Sequence, residues 1–320
     1  MTTPAPRNFI SIADVSRADL ERILDLAVEL KAEWKESLAA GRRQRPRLDG
    51  LTLAMLFEKP SLRTRVSFEA GMFQLGGHAI NLEASGVGRL GQRESISDLG
   101  RNLARWCQIV QGRVFDHSGL VELAKWCDAP IVNGLSDLEH PTQVMADYLT
   151  IREATGAASF DGLHLGWIGD GNNVSHSLML MAAHFGHAMT LAIPEGYDPA
   201  PSIVEACRRI DPSCGDRIRI VRDPMEAARA ATVLYTDVWA SMGQEGEAAR
   251  REAAFAGYQI NEELLAAAPE HAFVLHDLPA KRGKEITDGV LDGPRCRAFD
   301  QAENRLHTIK AILCWCLGAE

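Results

Sequence analysis

The sequence predicts an α/β protein of two domains with parallel sheets, and three observations predict it. Apolar runs of strand length alternate with segments of helical periodicity along most of the chain. The alternation occurs twice, separated by the weakly patterned stretch Glu153-Ala154-Thr155-Gly156-Ala157-Ala158-Ser159. The 320 residues are long for a single core.

Ser16 to Ala40 reads as one amphipathic helix with Leu20, Ile23, Leu24, Leu26, Ala27 and Leu30 as its buried stripe. Gly41 to Pro46 is a basic connection ending in proline. The first alternation places strands at Leu51–Phe57, His78–Leu82, Ile109–Arg113 and Pro130–Asn133, with helices between them and a further helix over Thr142–Ala154. The second places strands at Leu163–Ile168, Met189–Ile193, Arg217–Val221, Thr232–Tyr235 and Phe273–His276, and Gln301–Leu317 closes the chain as a helix. Strand–helix repeats of this kind build parallel sheets.

Composition narrows the class of protein. Apolar content of 46% and charged content of 24% are ordinary for a globular chain. A net charge of −9 disfavours nucleic-acid binding through a generally basic surface, while leaving room for a local cationic pocket. Seven cysteines without a C-x-x-C pair read as reduced thiols in a cytoplasmic protein, with Cys314 and Cys316 as packing residues. No signal peptide and no membrane span are expected.

The most informative stretch is Phe57-Glu58-Lys59-Pro60-Ser61-Leu62-Arg63-Thr64-Arg65. A strand runs into a Pro-Ser turn and a helix opens there, so unpaired N–H groups and a positive dipole end face outward. Ser61 and Thr64 add hydroxyls, and Arg63 and Arg65 add permanent charge. The plain alternative is a Ser-capped helix with solvated arginines. Because the two arginines share no helical face, one can meet a ligand while the other braces the protein.

Other polar clusters fall where strands end, the usual ligand position in open parallel sheets. His140-Pro141-Thr142-Gln143 opens a helix with donors suited to a carbonyl, an oxyanion or a planar amide. Gly169-Asp170-Gly171-Asn172-Asn173 resembles a nucleotide loop but has Val174 where the dinucleotide fingerprint needs glycine. Gly86-Val87-Gly88-Arg89-Leu90-Gly91 has that spacing, but no strand feeds directly into it, so it is read as a chance match. Asp237-Val238-Trp239-Ala240-Ser241-Met242-Gly243 offers a carboxylate for an ammonium group, with Ser241 beside it, or is a simple loop acid and turn. In His276-Asp277-Leu278-Pro279 the X-Pro step predicts extended main chain at Leu278, and His276 is either a site group or a satisfied core histidine. No metal site is expected, because His184 and His187 lack a third ligand, and no G-x-S-x-G elbow marks a hydrolase triad.

Taken together these motifs resemble the aspartate/ornithine carbamoyltransferase family, and its ornithine branch most closely. The likeness runs from Phe9 to Leu317. The family's S-x-R-T-R stands as Ser61–Arg65, with Leu62 where Thr is usual; H-P-x-Q stands as His140–Gln143, and D-x-x-x-S-M-G as Asp237–Gly243. Ala302-Glu303-Asn304-Arg305-Leu306-His307-Thr308-Ile309-Lys310 also fits.

The resemblance implies two Rossmann-like domains, residues 1–152 and 153–300, with the helix over 301–320 returning to the first. It implies carbamoyl phosphate held by Ser61, Leu62, Arg63, Thr64, Arg113, His140, Gln143 and Arg305, with Asp277 and Leu278 at its carbamoyl end. It implies an L-ornithine site of Asn173, Asp237, Ser241 and Met242. A homotrimer, or a multiple of trimers, is implied too, with Arg89 reaching a neighbour's site where the family has Gln or His. The catalytic residues it implies are Arg63, Arg113, His140, Asp237 and Asp277, and no cofactor is implied.

In the expected reaction the neutral δ-amine of ornithine attacks the carbonyl carbon. Thr64, Arg113 and His140 stabilise the oxyanion, and Arg63 and the Ser61 helix start receive the leaving phosphate. The product would be citrulline, on the way to arginine. One departure stands out: the ornithine branch carries His-Cys-Leu-Pro where this chain has His276-Asp277-Leu278-Pro279. An anion there attracts the cationic amine and either holds its proton on or accepts it. The competing readings are a carbamoyltransferase for another amine (putrescine or an N-acylornithine), a weakly active paralogue that only binds carbamoyl phosphate, and, most distant, a dinucleotide oxidoreductase.

Overall fold

A computed structural model describes residues 7–83, 88–240 and 245–320. The chain divides into two compact units, one of Met1–Leu149 with Glu303–Glu320, the other of Thr150–Ala302. The first unit holds strands β1 (Thr52–Phe57), β2 (His78–Glu83), β3 (Ile109–Arg113) and β4 (Ile131–Leu135) in the order β2-β1-β3-β4. All its pairings are parallel, with Leu53 opposite both Ala79 and Ile109. Both central strands are buried on both faces, which is why they read as continuous apolar runs. The half-exposed, alternating β2 is an edge strand.

The second unit holds β5 (His164–Ile168), β6 (Ala188–Ala192), β7 (Ile218–Val221), β8 (Val233–Thr236) and β9 (Phe273–His276) in the order β7-β6-β5-β8-β9, again all parallel. The reversal of order beside the first strand of each sheet is the feature that opens a ligand crevice at the strands' carboxyl ends. Small side chains let helices approach this sheet closely: Ala227, Ala228 and Ala231 pack with Ile168, Leu234 and Val274 in one buried cluster.

The first helix, Arg17–Ala39, is capped by Ser16, whose side chain accepts from Asp19 N, and its predicted stripe is buried throughout. The last helix, Ala298–Leu317, begins three residues before its expected start. Its C-terminal part packs on the first helix: Lys31 Nζ donates to Asn304 Oδ1 at 2.7 Å, and Trp315 Nε1 donates to Asp19 Oδ1 at 3.1 Å. Lys310 is fully buried there, donating to Gln44 at 2.9 Å and Gln74 at 3.0 Å. Burial pushes its ammonium down to about 8, so these two amide oxygens are what keep the charge tolerable. All seven cysteines are free, and Cys314 and Cys316 lie in the packed interior. Among the described residues no helix is long and apolar enough to cross a membrane.

Candidate active site

The first unit gathers its site at the carboxyl ends of β1, β3 and β4. The chain leaves β1 at Phe57, turns through Pro60 and opens the helix Leu62–Gln74. Ser61 is the cap of that helix: its backbone is extended and its Oγ accepts from Thr64 N at 3.3 Å. A capping hydroxyl leaves the remaining first-turn N–H groups for an anion. Leu62 contributes through its main chain alone, because its side chain is 73% exposed.

Thr64 is buried and acts as the hub. Its Oγ1 accepts from Arg305 Nη2 at 3.0 Å and from Arg113 Nη1 at 3.4 Å. Arg113 arrives from the end of β3, where a register shift at Gly112/Arg113 re-aims the side chain. Arg305 comes from the last helix and also donates to Gln143 Oε1, with its Nη1 3.5 Å from His140 Nε2. Gln143 in turn donates to Asp147 at 2.8 Å, so the amide predicted to read the substrate braces the arginine as well. Burial, with Arg305, Arg113 and Arg63 close by, pushes His140 well below the ordinary histidine range. The ring is therefore neutral, able to give one N–H to a carbonyl oxygen. Arg65 points away to Glu69 and Glu83, each at 3.0 Å, and is the bracing arginine of the pair.

Sequence reasoning missed a second cationic layer. Lys59 Nζ lies 4.3 Å from the centre of the Phe115 ring, and the Arg89 guanidinium carbon lies 3.9 Å from the same centre. Glu58 fixes this arrangement by accepting from Leu90 N and from Phe115 N, both at 2.7 Å. Burial and the nearby Arg113 push the Lys59 ammonium down. Arg89, expected to reach a neighbour, rests on a ring of its own chain. The dipeptide Glu58-Lys59 before the Pro-Ser turn was visible, but nothing in the sequence ties it to Phe115.

In the second unit the site forms where β5, β8 and β9 end. Gly171 must be glycine, because a Cβ there would stand 2.5 Å from both Tyr197 O and Pro199 N. That close approach delivers Asn172 to the start of the helix Asn173–Phe185, where its Oδ1 accepts from Val174 N and Ser175 N. Its Nδ2 donates to Asp237 Oδ2 at 2.7 Å. Asn172 thus orients the acidic group; the N-cap preference of asparagine was the available signal. Asp170 is buried against Arg251 at 2.6 Å. Asp237 sits at the end of β8 with Val238 N donating to Oδ1 at 2.6 Å. Ser241 and Met242 lie outside the described residues.

His276 is entirely buried, as a satisfied core histidine would be, with Glu285 Oε1 3.1 Å from Nε2. Leu278 is not extended: its φ is 56°, in the left-handed region. The reason is local, since Leu278 N donates to His276 Nδ1 at 2.9 Å and the chain curls back over the ring to make that bond. Asp277 Oδ1 lies 3.4 Å from His276 Nδ1. Asp277 and Asp237 face each other, and burial together with the Asp277 charge pushes the Asp237 carboxyl well above the usual carboxylate range. Among the described residues no group of three or more His, Cys, Asp or Glu is disposed to hold a metal ion.

Residues 7–153 match the carbamoyl-P binding domain of aspartate/ornithine carbamoyltransferases, and residues 161–316 match the Asp/Orn binding domain. The chain belongs to the aspartate/ornithine carbamoyltransferase family. It is thus a carbamoyltransferase. It is 48% identical to the ornithine carbamoyltransferase of Anoxybacillus flavithermus over 96% of this chain and 95% of that one. The ornithine carbamoyltransferase of Thermococcus kodakarensis is 44% identical over 98% of this chain and 97% of that one. In three dimensions it superposes on the ornithine carbamoyltransferase of Pyrococcus furiosus with a TM-score of 0.91 at 41% identity, covering 99% of each chain. Arg63, Thr64, Arg113, His140 and Gln143 fall within the residues matched to the carbamoyl-P binding domain, and Arg305 and the Asp237–Asp277 corner within those matched to the Asp/Orn binding domain.

Proposed function

We propose that the chain transfers the carbamoyl group of carbamoyl phosphate to the δ-amine of L-ornithine, giving L-citrulline and phosphate in arginine biosynthesis. The observation that carries this reading is the convergence of Arg113 and Arg305 on Thr64 beside a neutral His140. Ser61, the Leu62 main chain, Arg63, Arg305 and Gln143 hold the donor. Thr64, Arg113 and His140 supply donors to the carbonyl oxygen as it becomes an oxyanion, without having to reorganise. Asn173, Asp237, Ser241 and Met242 hold the amino-acid end of ornithine. Asp277 and Leu278 stand by the reacting end, and Arg89 adds charge around the phosphate.

Aligning two bound substrates is itself worth several orders of magnitude in rate. Self-association into trimers, or multiples of them, is part of this reading. Leu62, Val66 and Phe73 are exposed on one face of the helix Leu62–Gln74, and Ile80 is exposed on the edge strand β2. Light scattering with multi-angle detection gives the mass. The cytoplasm, where free thiols persist, is the proposed compartment.

A second reading has one observation in its favour. Asp277 stands where the ornithine branch carries Cys, and an added carboxylate suits a more basic acceptor such as putrescine. Release of phosphate and of the ureido product, measured with ornithine, putrescine and N-acetylornithine in parallel, decides the acceptor. Turnover of ornithine at a tenth or less of the rate with another amine rejects the first reading.

A further inference from the structure

The corner built by Asp237, Asp277, His276 and Glu285 has more carboxylates than its surroundings can neutralise. Among the described residues Asp237 receives two hydrogen bonds, one from Asn172 Nδ2 at 2.7 Å and one from Val238 N at 2.6 Å. Neither donor carries charge. Asp277 Oδ1 is buried and accepts no hydrogen bond among the described residues. The nearest ionisable ring is His276: burial opposes its protonation, and Asp277 and Glu285 would carry it up to about 9 if Nδ1 were free to hold a proton. Its Nδ1, however, accepts the Leu278 N–H at 2.9 Å, the shorter of its two contacts on that side. A nitrogen that accepts a main-chain N–H cannot carry a proton, so this bond fixes the ring as neutral, with Nε2 donating to Glu285. Arg251, which donates to Trp239 O two residues along from Asp237, is committed to Asp170. Residues 241–244, Ser-Met-Gly-Gln, bring no charge. Among the described residues no cation serves Asp237, which is buried, or Asp277, whose side chain is 12% exposed, and two adjacent carboxylates so placed resist ionising together.

We propose that Asp237 and Asp277 share a single proton and act as one base, which takes a proton from the ammonium form of the acceptor amine. This rests on the carbamoyl-transfer reading above and gives Asp277 a catalytic role in it. The acceptor arrives as R–NH3+, attracted by the single negative charge of the pair. One N–H proton passes to the pair, which becomes the neutral diacid, and the freed lone pair forms the N–C bond to the carbamoyl carbon. The C–O bond to phosphate breaks with its electron pair on the departing oxygen. The second proton of the attacking nitrogen leaves with phosphate, giving HPO4(2−) and the ureido product. The diacid then loses its extra proton to water and the shared-proton form returns.

The pair has a readout independent of turnover. Infrared difference spectra of the whole protein at pH 7, with aspartate labelled by 13C, should show a protonated carboxyl C=O band in the wild type. The band should vanish in Asp277→Asn, because the new amide donates to Asp237 and lets it ionise. Should that variant fail to fold, Asp237→Asn serves the same comparison. Kinetics supply the second arm: Asp277→Asn should lower kcat/KM for the acceptor by about 100-fold, as loss of a general base does. The sign of the pH effect is set. The pair accepts a proton only while monoanionic, so the wild-type rate falls as pH falls and the diacid forms. In Asp277→Asn the rate starts from a lower plateau, while Asp277→Glu restores part of the wild-type rate. A wild type without the band, or a band that survives both substitutions, overturns the shared proton. A band behaving as expected in a protein that releases no citrulline leaves the pair standing and rejects ornithine as the acceptor instead.

Discussion

In the first unit, arginines from a helix start, a strand end and the last helix surround one threonine and one neutral histidine. In the second, carboxylates from two strand ends surround a histidine, and among the described residues no arginine is bonded to either Asp237 or Asp277. The first arrangement stores positive charge and is braced by neutral acceptors: Thr64 and Gln143 take the guanidinium N–H groups, so the cations keep their field for a ligand. The second stores negative charge and is braced by neutral donors, Asn172 and the Val238 N–H. The two sites use one device. A charge is kept buried by partners that satisfy its hydrogen bonds without cancelling it, and the incoming substrate supplies the missing counter-charge.

The comparison breaks first, and furthest, at Arg305. It is 2% exposed and contacts Thr64, Gln143 and His140 together. Arg305→Lys keeps the charge but cannot span those partners, because an ammonium lacks the planar fork. A loss in kcat/KM of about 1,000-fold is expected, equivalent to about 4 kcal/mol. Carbamoyl phosphate binding, followed by calorimetry, should weaken with it. A loss below tenfold would mean that the fork is not what orders the cradle.

The second unit offers a contrasting case in which the charge is cancelled. Arg251 and Asp170 are buried together at 2.6 Å, and Arg251 also donates to Trp239 O. Burial alone raises the Asp170 carboxyl, which Arg251 only partly offsets. Arg251→Met strands that carboxylate and should cost about 3–5 kcal/mol of stability, read as a drop in the urea midpoint. The double variant Arg251→Met with Asp170→Asn should recover much of it. Equal destabilisation in single and double variants would show that Arg251 matters through packing alone.

These contrasts explain what the sequence could disclose. Strands buried on both faces, such as Leu53–Phe57 and Trp167–Ile168, announce themselves as unbroken apolar runs, so both sheets were legible. Ser61 was legible as a helix cap and as an anion site, and it is a cap in the structure, since one hydroxyl serves the local backbone whatever ligand follows. Residues whose role depends on a long-range partner were not legible. Asn172 reads as a loop residue until β8 brings Asp237 to it, and Gln143 reads as a ligand group until Arg305, 162 positions away, claims its oxygen. Leu278 misled for a different reason: the X-Pro rule considers only the proline, and a bond to the ring of His276, two residues back, overrides it. Phe115 carries no polar atom on its side chain, so no motif search would select it.

That residue gives the next test of the cationic side. Phe115→Leu removes the face on which Lys59 and Arg89 rest but leaves Glu58 bound to the main-chain N–H groups. Cation–π contacts of this kind are worth roughly 0.5–2 kcal/mol. KM for carbamoyl phosphate should rise about tenfold with kcat nearly unchanged, and Phe115→Tyr should behave like the wild type. A change confined to kcat would place the ring in the chemistry instead of in the holding of the donor.

The smallest effect separates two arginines that stand one residue apart. Arg65 meets Glu69 and Glu83 at 3.0 Å each, and all three side chains are at least 40% exposed. Such pairs contribute roughly 0–1 kcal/mol, because water screens the attraction and holding long side chains together costs entropy. Arg65→Ala should therefore shift stability by less than about 1 kcal/mol and leave both substrates' KM values and kcat unchanged. Arg63 lies close enough to depress the His140 ring, and Arg63→Ala should raise KM for carbamoyl phosphate. Chevron analysis and steady-state kinetics on the two variants side by side measure how far one step along a helix moves a guanidinium from structural bracing to ligand binding. If Arg65→Ala loses activity as Arg63→Ala does, the division of labour between the two faces of the helix is wrong.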